Sequence, residues 1–204
     1  MNRRAVAVDA DFRTREVDGK RYVDGYFAVF GGRYELWYNA EETIDEGAFH
    51  LERDTDIRAL TNHDTTLVLG RTTAGTLSLS VDERGLWGSI EINEADQDAV
   101  NLYERVRRRD VTQCSFGFDI IDEERIARDD GVTVWHLKDV KLYEVSVCTF
   151  PAYEETGVSA RKAELETINR RKREAWISAM KKRLKGERDA EEITPASEDR
   201  QEKD

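Results

Sequence analysis

Between Arg21 and Thr149 the apolar residues come in short runs with a period of two, cut by glycines and charged turns. That spacing suits strands of a half-buried sheet and is too short for helices. Thr76 to Val81 alternates cleanly, with Leu77, Leu79 and Val81 on one face. Asp82-Glu83-Arg84-Gly85 reads as a hairpin turn into a partner strand, Leu86 to Ile92. Arg21 to Phe30 is aromatic and β-branched with Gly25 inside it, which predicts a strand with a bulge or bend, ended by Gly31-Gly32. Leu67 to Arg71, Cys114 to Ile121, Val132 to Leu137 and Leu142 to Thr149 complete the strand set, and Pro151 closes it. The exception is Ala95 to Arg109, where Ala99, Leu102, Tyr103 and Val106 fall on one helical face and arginines crowd the C-terminal end. The expected class is mainly β with flanking helices (α+β).

Near Ala160 the pattern changes. From there to Arg188 the spacing predicts one charged helix with a broken apolar stripe of Leu165, Ile168, Trp176, Ile177, Met180 and Leu184. Charge divides the chain at the same place. Residues 1–160 carry 19 Lys and Arg against 32 Asp and Glu, a net of −13; residues 161–188 carry 11 against 4, a net of +7; residues 189–204 carry 2 against 7, a net of −5. Three segments are expected: a domain over 1–159, a basic helical arm over 160–188, and an acidic disordered tail over 189–204. An acidic body argues against nucleic-acid binding, whose affinity comes mostly from Lys and Arg on phosphates. No run of about eighteen apolar residues could span a membrane. Charge comes too early at the N-terminus for a signal peptide. Two cysteines, Cys114 and Cys148, make neither a disulfide scaffold nor a four-cysteine zinc site and suit a reducing cytoplasm. With no HExxH, P-loop or GxGxxG, neither a metal nor a nucleotide cofactor is expected.

Three places could carry chemistry. His63, in Leu60-Thr61-Asn62-His63-Asp64, stands at a strand-to-loop junction, where an imidazole can be held and still reached, as a general base requires. An ordinary surface-loop histidine fits the same position. Of the other histidines, His50 falls in an expected short helix and His136 in a strand beside Trp135, and both read as structural. Ser115, in Gln113-Cys114-Ser115-Phe116-Gly117-Phe118, starts a strand whose other face is Phe116 and Phe118. A serine becomes a nucleophile only beside a base, and most strand serines are not nucleophiles. Gly117 on the same face would let a substrate backbone come close. Cys114 is a rival nucleophile, but it points the opposite way and suits a small buried residue. Glu144 alternates with Val145 and Val147, and an acid in such a strand needs a partner. It could orient the imidazole or pair with an arginine.

Together these segments resemble the tailed-phage prohead proteases, capsid-maturation serine proteases similar in fold to the herpesvirus assemblins. The resemblance runs from Gly25 to Tyr153 and lies in an ordered series of short motifs: Gly25-Tyr26-Phe27-Ala28-Val29-Phe30, Ile44-Asp45-Glu46-Gly47-Ala48-Phe49, Asn62-His63-Asp64, Leu69-Gly70-Arg71-Thr72, Asp82-Glu83-Arg84-Gly85-Leu86, Ser115-Phe116-Gly117-Phe118, and Glu144-Val145-Ser146 leading to Phe150-Pro151-Ala152-Tyr153. It implies an antiparallel β-barrel flanked by helices, with His63 as general base and Ser115 as nucleophile. In the assemblins the third residue is a second histidine on a later strand; here Glu144 lies in the matching strand and inherits the orienting role. The implied activity is serine endopeptidase cleavage of the scaffold portion of the major capsid protein, of other head proteins such as the portal, and of the enzyme itself. It would take place inside the assembling procapsid in the host cytoplasm, with the enzyme as a homo-oligomer. An extended peptide laid along a strand edge would be the substrate's mode of binding. Backbone around Gly117 and Gly70-Arg71 is the expected source of oxyanion donors. The charge and apolar stripe of residues 160–204 leave two readings open: a segment that recruits the enzyme to scaffold or shell and is trimmed on activation, or a helix that packs on the barrel.

Two rivals stand beside the protease. One is a non-catalytic scaffold or capsid-binding module that keeps the protease fold; the other is an unrelated β-rich binding domain. Retention of His63, Ser115 and a late-strand acid favours the enzyme, although a fold by itself does not establish function.

Overall fold

The computed structural model describes residues 8–150 and 155–191. The chain divides into two compact units, Met1–Val158 and Ser159–Asp204. Eleven strands and a helix occupy the described part of the first: β1 (Val8–Asp9), β2 (Arg13–Val17), β3 (Lys20–Val29), β4 (Tyr34–Trp37), β5 (Ala40–Ile44), β6 (Arg58–Thr61), β7 (Asp64–Arg71), β8 (Leu77–Val81), β9 (Gly85–Glu91), α1 (Gln97–Arg107), β10 (Gln113–Ala127) and β11 (Thr133–Cys148). A second helix, α2, spans Glu155–Glu191.

The strands form two sheets. The smaller, antiparallel sheet has the order β2-β3-β9-β8; the larger has the path β1-β10-β11-β5-β4, with the β6–β7 hairpin attached through β6 to β11. This differs from the expected antiparallel barrel in two ways. Among the described residues no ladder joins the sheets into a closed barrel, and β11 pairs in parallel with both β5 and β6. The mainly-β character with added helices is as expected.

The core lies where the inner faces meet. Val23, Phe27, Leu86 and Ile90 come from the small sheet, Phe116, Phe118, Val145 and Val147 from the large one, and Leu102, Tyr103 and Val106 from α1. Alternation delivers these residues to one side of each strand. The helix begins where Asp96 accepts hydrogen bonds from the N–H groups of Asp98 and Ala99, and Arg105 and Arg107 lie in its last turn. In β3 the bulge falls between Tyr26 and Ala28, not at Gly25. Gly25 serves packing, because a Cβ there would sit 2.4 Å from the Phe12 ring.

One strand, β11, replaces the two expected over Val132–Leu137 and Leu142–Thr149. Thr133–Leu137 pair with β5 and Glu144–Val147 with β6, so the stretch between them lacks a strand partner on that side. The loop after β5 fills this gap. Val140 donates its N–H to the Ala48 carbonyl at 3.1 Å, Leu142 donates to Asp54 Oδ2 at 2.9 Å, and Arg53 Nη2 donates to the Val140 carbonyl at 2.5 Å. His50 lies in this loop, beside Phe49, which bridges to Val140; the short helix expected there is absent. The spliced strand carries Glu144 into the middle of the large sheet.

Within α2, Leu165 and Ile168 are half-buried, and Trp176, Ile177 and Met180 are exposed. The expected arm, 160–188, lies inside this helix; of the expected acidic tail, 189–204, residues 192–204 lie outside the described residues.

Candidate active site

The β6–β7 hairpin turns on two residues, Asn62 and His63, with Thr61 paired to Asp64 across it. Both have left-handed backbone, φ 50° at Asn62 and 60° at His63. Two-residue turns of this kind favour Asn-Gly, because the second position strains any side chain. A histidine stands where glycine would be easiest. The turn is held in place by three hydrogen bonds to one end of β11. Asn62 donates its N–H to the Val147 carbonyl at 3.0 Å, His63 donates its N–H to Ser146 Oγ at 3.2 Å, and Asn62 Oδ1 accepts from the Thr149 N–H at 2.8 Å. The main chain is fixed, and the imidazole lies over β11 with its side chain 17% exposed.

Beneath it is Glu144, 3% exposed. Its Oε1 lies 2.6 Å from His63 Nδ1, and its Oε2 accepts from Ser146 Oγ at 2.6 Å. A carboxylate beside Nδ1 calls for the tautomer with hydrogen on Nδ1, which leaves the Nε2 lone pair free to take a proton. Among the described residues no lysine or arginine forms an ion pair with Glu144; its ionisable partner is His63.

Ser115 is on the same face. It is fully buried in β10, directly opposite Ser146, and Gly117 is opposite Glu144. Three buried side-chain polar atoms among the described residues have no hydrogen-bond partner: Asp24 Oδ1, His63 Nε2 and Ser115 Oγ. Buried polar atoms are rarely left so. Two of the three belong to this cluster, and they are the atoms that would exchange a proton in acyl transfer.

The predicted trio of His63, Ser115 and Glu144 therefore converges on one face of the β10–β11 pair, joined to β6 and its turn. The arginine partner considered for Glu144 is replaced by the imidazole. The rivals fall elsewhere. Cys114 faces the core, its Sγ 3.2 Å from the Tyr26 carbonyl. Cys148 is buried, and burial together with the charge of Glu144 pushes its thiol up to about 12, far from thiolate at neutral pH. His50 contacts Glu52, and His136 lies about 26 Å along β11 from Glu144 at roughly 3.3 Å per residue.

Two expectations about backbone fail. Gly117 does not leave room for substrate: a Cβ there would lie 2.4 Å from Glu144 Oε1, so the glycine accommodates the acid. Gly70-Arg71 is also occupied, because Gly70 packs against the Thr76 carbonyl and the Arg71 N–H is donated to Thr76 Oγ1 at 3.0 Å. Sequence reading missed Asn62 and Ser146 as parts of the site. The signal for Ser146 was its same-face spacing from Glu144, two residues along one strand.

Residues 9–171 match the model of the caudovirus prohead serine protease family, and the chain belongs to that family. It is 29% identical over 163 residues to the prohead protease of Enterobacteria phage HK97, a match covering 76% of this chain and 69% of that protein. No solved structure matches it.

Proposed function

We propose that this prohead-family protease is a serine endopeptidase with Ser115 as nucleophile, His63 as general base and Glu144 as the acid that orients the base. The observation that carries the reading is the pair of unsatisfied atoms. Ser115 Oγ and His63 Nε2 are both buried and unpartnered, Ser115 stands opposite Ser146, and the other imidazole nitrogen is bound to the Glu144 carboxylate. No hydrogen bond joins the two atoms in the free chain. Catalytic contacts of this type are often loose before substrate arrives and tighten in the complex.

The chemistry follows from the donor set. Nε2 takes the proton of Ser115 as Oγ attacks the peptide carbonyl, forming the C–O bond of a tetrahedral intermediate. The imidazolium then protonates the departing amine, and water, deprotonated by the same nitrogen, releases the acyl group. General-base assistance is worth about 10²–10⁴-fold in rate. Glu144 contributes through its two partners, the imidazole Nδ1 and the Ser146 hydroxyl. When Nε2 takes the serine proton the carboxylate faces an imidazolium, so the pairing strengthens as the transition state forms.

Family membership supports a role in capsid maturation. The finer reading is that the substrates are the scaffold portion of the major capsid protein, other head proteins and the chain itself, cut inside the procapsid. Among the described residues β1 pairs with the start of β10 at Gln113 and Cys114, beside Ser115. An extended peptide could add there as a strand.

Wild type and Ser115→Ala should be mixed separately with the cognate capsid protein under assembly conditions, and products identified by mass. Wild type is expected to remove the scaffold segment, and Ser115→Ala to leave it intact. Equal cleavage by both would overturn the nucleophile assignment; no cleavage by wild type would favour the non-catalytic capsid-binding alternative.

A further inference from the structure

Building on the proposed roles of His63 and Glu144, we infer that Ser146 is a positioning residue: a buried hydroxyl that locks the acid and the backbone of the base into one register. Its oxygen serves both at once. Ser146 Oγ donates to Glu144 Oε2 at 2.6 Å and accepts the N–H of His63 at 3.2 Å. A hydroxyl has one proton and two lone pairs. The His63 N–H can only donate, so it takes a lone pair, and the single proton must go to the carboxylate. The hydroxyl rotor is therefore fixed, although Ser115 is its direct cross-strand neighbour.

This arrangement does two things that neither partner can do alone. The first is to anchor a strained turn. His63 has φ 60°, a conformation a histidine keeps only where surrounding bonds determine it, and the Ser146 oxygen receives the backbone N–H of that residue. The second is to settle which carboxylate oxygen faces the imidazole. With Oε2 held by the hydroxyl, Oε1 is left for Nδ1, and the ring is aimed with Nε2 away from the acid. Ser146 is fully buried, so water cannot readily take over either bond. Alanine would leave both the His63 N–H and Glu144 Oε2 without this partner. Threonine keeps the hydroxyl and suits a strand.

The test uses full-length chains, with turnover of a capsid-derived peptide as the readout. Ser146→Ala is expected to lower kcat about 10- to 100-fold, by analogy with the loss of side chains that orient metal-binding histidines and carboxylates, with KM changed less than about threefold. Ser146→Thr should recover most of the rate. In a Glu144→Gln background, Ser146→Ala should cost less than about threefold, because residues acting as one unit are strongly non-additive. A Ser146→Ala enzyme with wild-type kcat overturns the inference. So does a loss of the same size with and without the Glu144 carboxylate. If Ser146→Ala does not fold, Ser146→Thr in the wild-type background decides: a kcat below one-tenth of wild type with unchanged thermal stability contradicts the hydroxyl role, and a kcat near wild type supports it. Inactive Ser115→Ala beside fully active Ser146→Ala would reject this inference while leaving the site intact; active Ser115→Ala would reject the site itself.

Discussion

Two buried carboxylates meet β11 about two residues apart, and they are neutralised in opposite ways. Asp54 is bound by the Leu142 N–H and by the guanidinium of Arg53, whose Nε lies 3.0 Å from Oδ1. Arg53 reaches on to Asp139 at 3.0 Å, and its already high pKa is raised further by Asp54, so its charge is permanent. Glu144 is just as buried, yet its partners are an imidazole and a hydroxyl. One acid is paired with a fixed cation, and its job is to splice a strand. The other is paired with an imidazole, a group able to take up and release a proton. The unpartnered Ser115 Oγ and His63 Nε2 belong to the cluster around the second acid and not the first. A buried acid with a titratable partner is a place where chemistry can happen; an acid with a permanent partner is a strut.

Removing each charge in turn should break this contrast into a rate effect and a stability effect. Glu144→Gln keeps the shape but offers Nδ1 no anion. By the precedent of an orienting acid made neutral, kcat should fall about 10⁴-fold, while the urea midpoint moves little. Steady-state kinetics beside equilibrium unfolding measures both, and an unfolded variant with normal kcat per native molecule would reverse the assignment. The opposite is expected of Asp54→Asn. It weakens a charge-assisted pair and one backbone bond, at a cost of about 2 kcal/mol, since Arg53 is partly exposed and keeps Asp139. Its kcat per folded molecule should stay within about tenfold of wild type.

The exposed pair Asp56–Arg71 supplies the weak end of the scale. Hydrogen bonding from Arg71 holds the Asp56 carboxyl down at about 2. A depressed folded-state pKa contributes stability above the unfolded value near 3.9 that is lost as pH falls toward 2. The difference in unfolding midpoint between wild type and Arg71→Ala should therefore be small and flat from pH 7 to 5, and should vanish near pH 2. A difference growing as pH falls would contradict the pairing.

Much of the fold was legible because local patterning and tertiary structure agree. The α1 face of Ala99, Leu102, Tyr103 and Val106 is buried as its spacing predicts. The Asp82–Gly85 turn joins β8 to β9 as its residues predict. What was hidden depends on long-range pairing. Parallel partners for β11 come from segments about 85 to 95 residues earlier in the chain, and no local pattern announces them. For that reason the continuous strand and the open sheets differ from the expected antiparallel barrel. In the site, residue types and motif order picked out His63, Ser115 and Glu144. Gly117 was misjudged because its neighbour is a side chain arriving from another strand. Ser146 was overlooked because half its role is a bond to backbone, which leaves no trace in residue type.

In the proposed mechanism Ser115 is a nucleophile because His63 takes its proton. An aryl fluorophosphonate tests this directly, since it labels activated serines by displacement of fluoride. Intact-mass and peptide mapping should find one adduct, on Ser115, in wild type, and almost none in His63→Ala, with Cys114 and Cys148 unlabelled by iodoacetamide at pH 7.5 in the folded protein. An adduct on another residue, or labelling of Ser115 at the same rate without His63, would contradict the account.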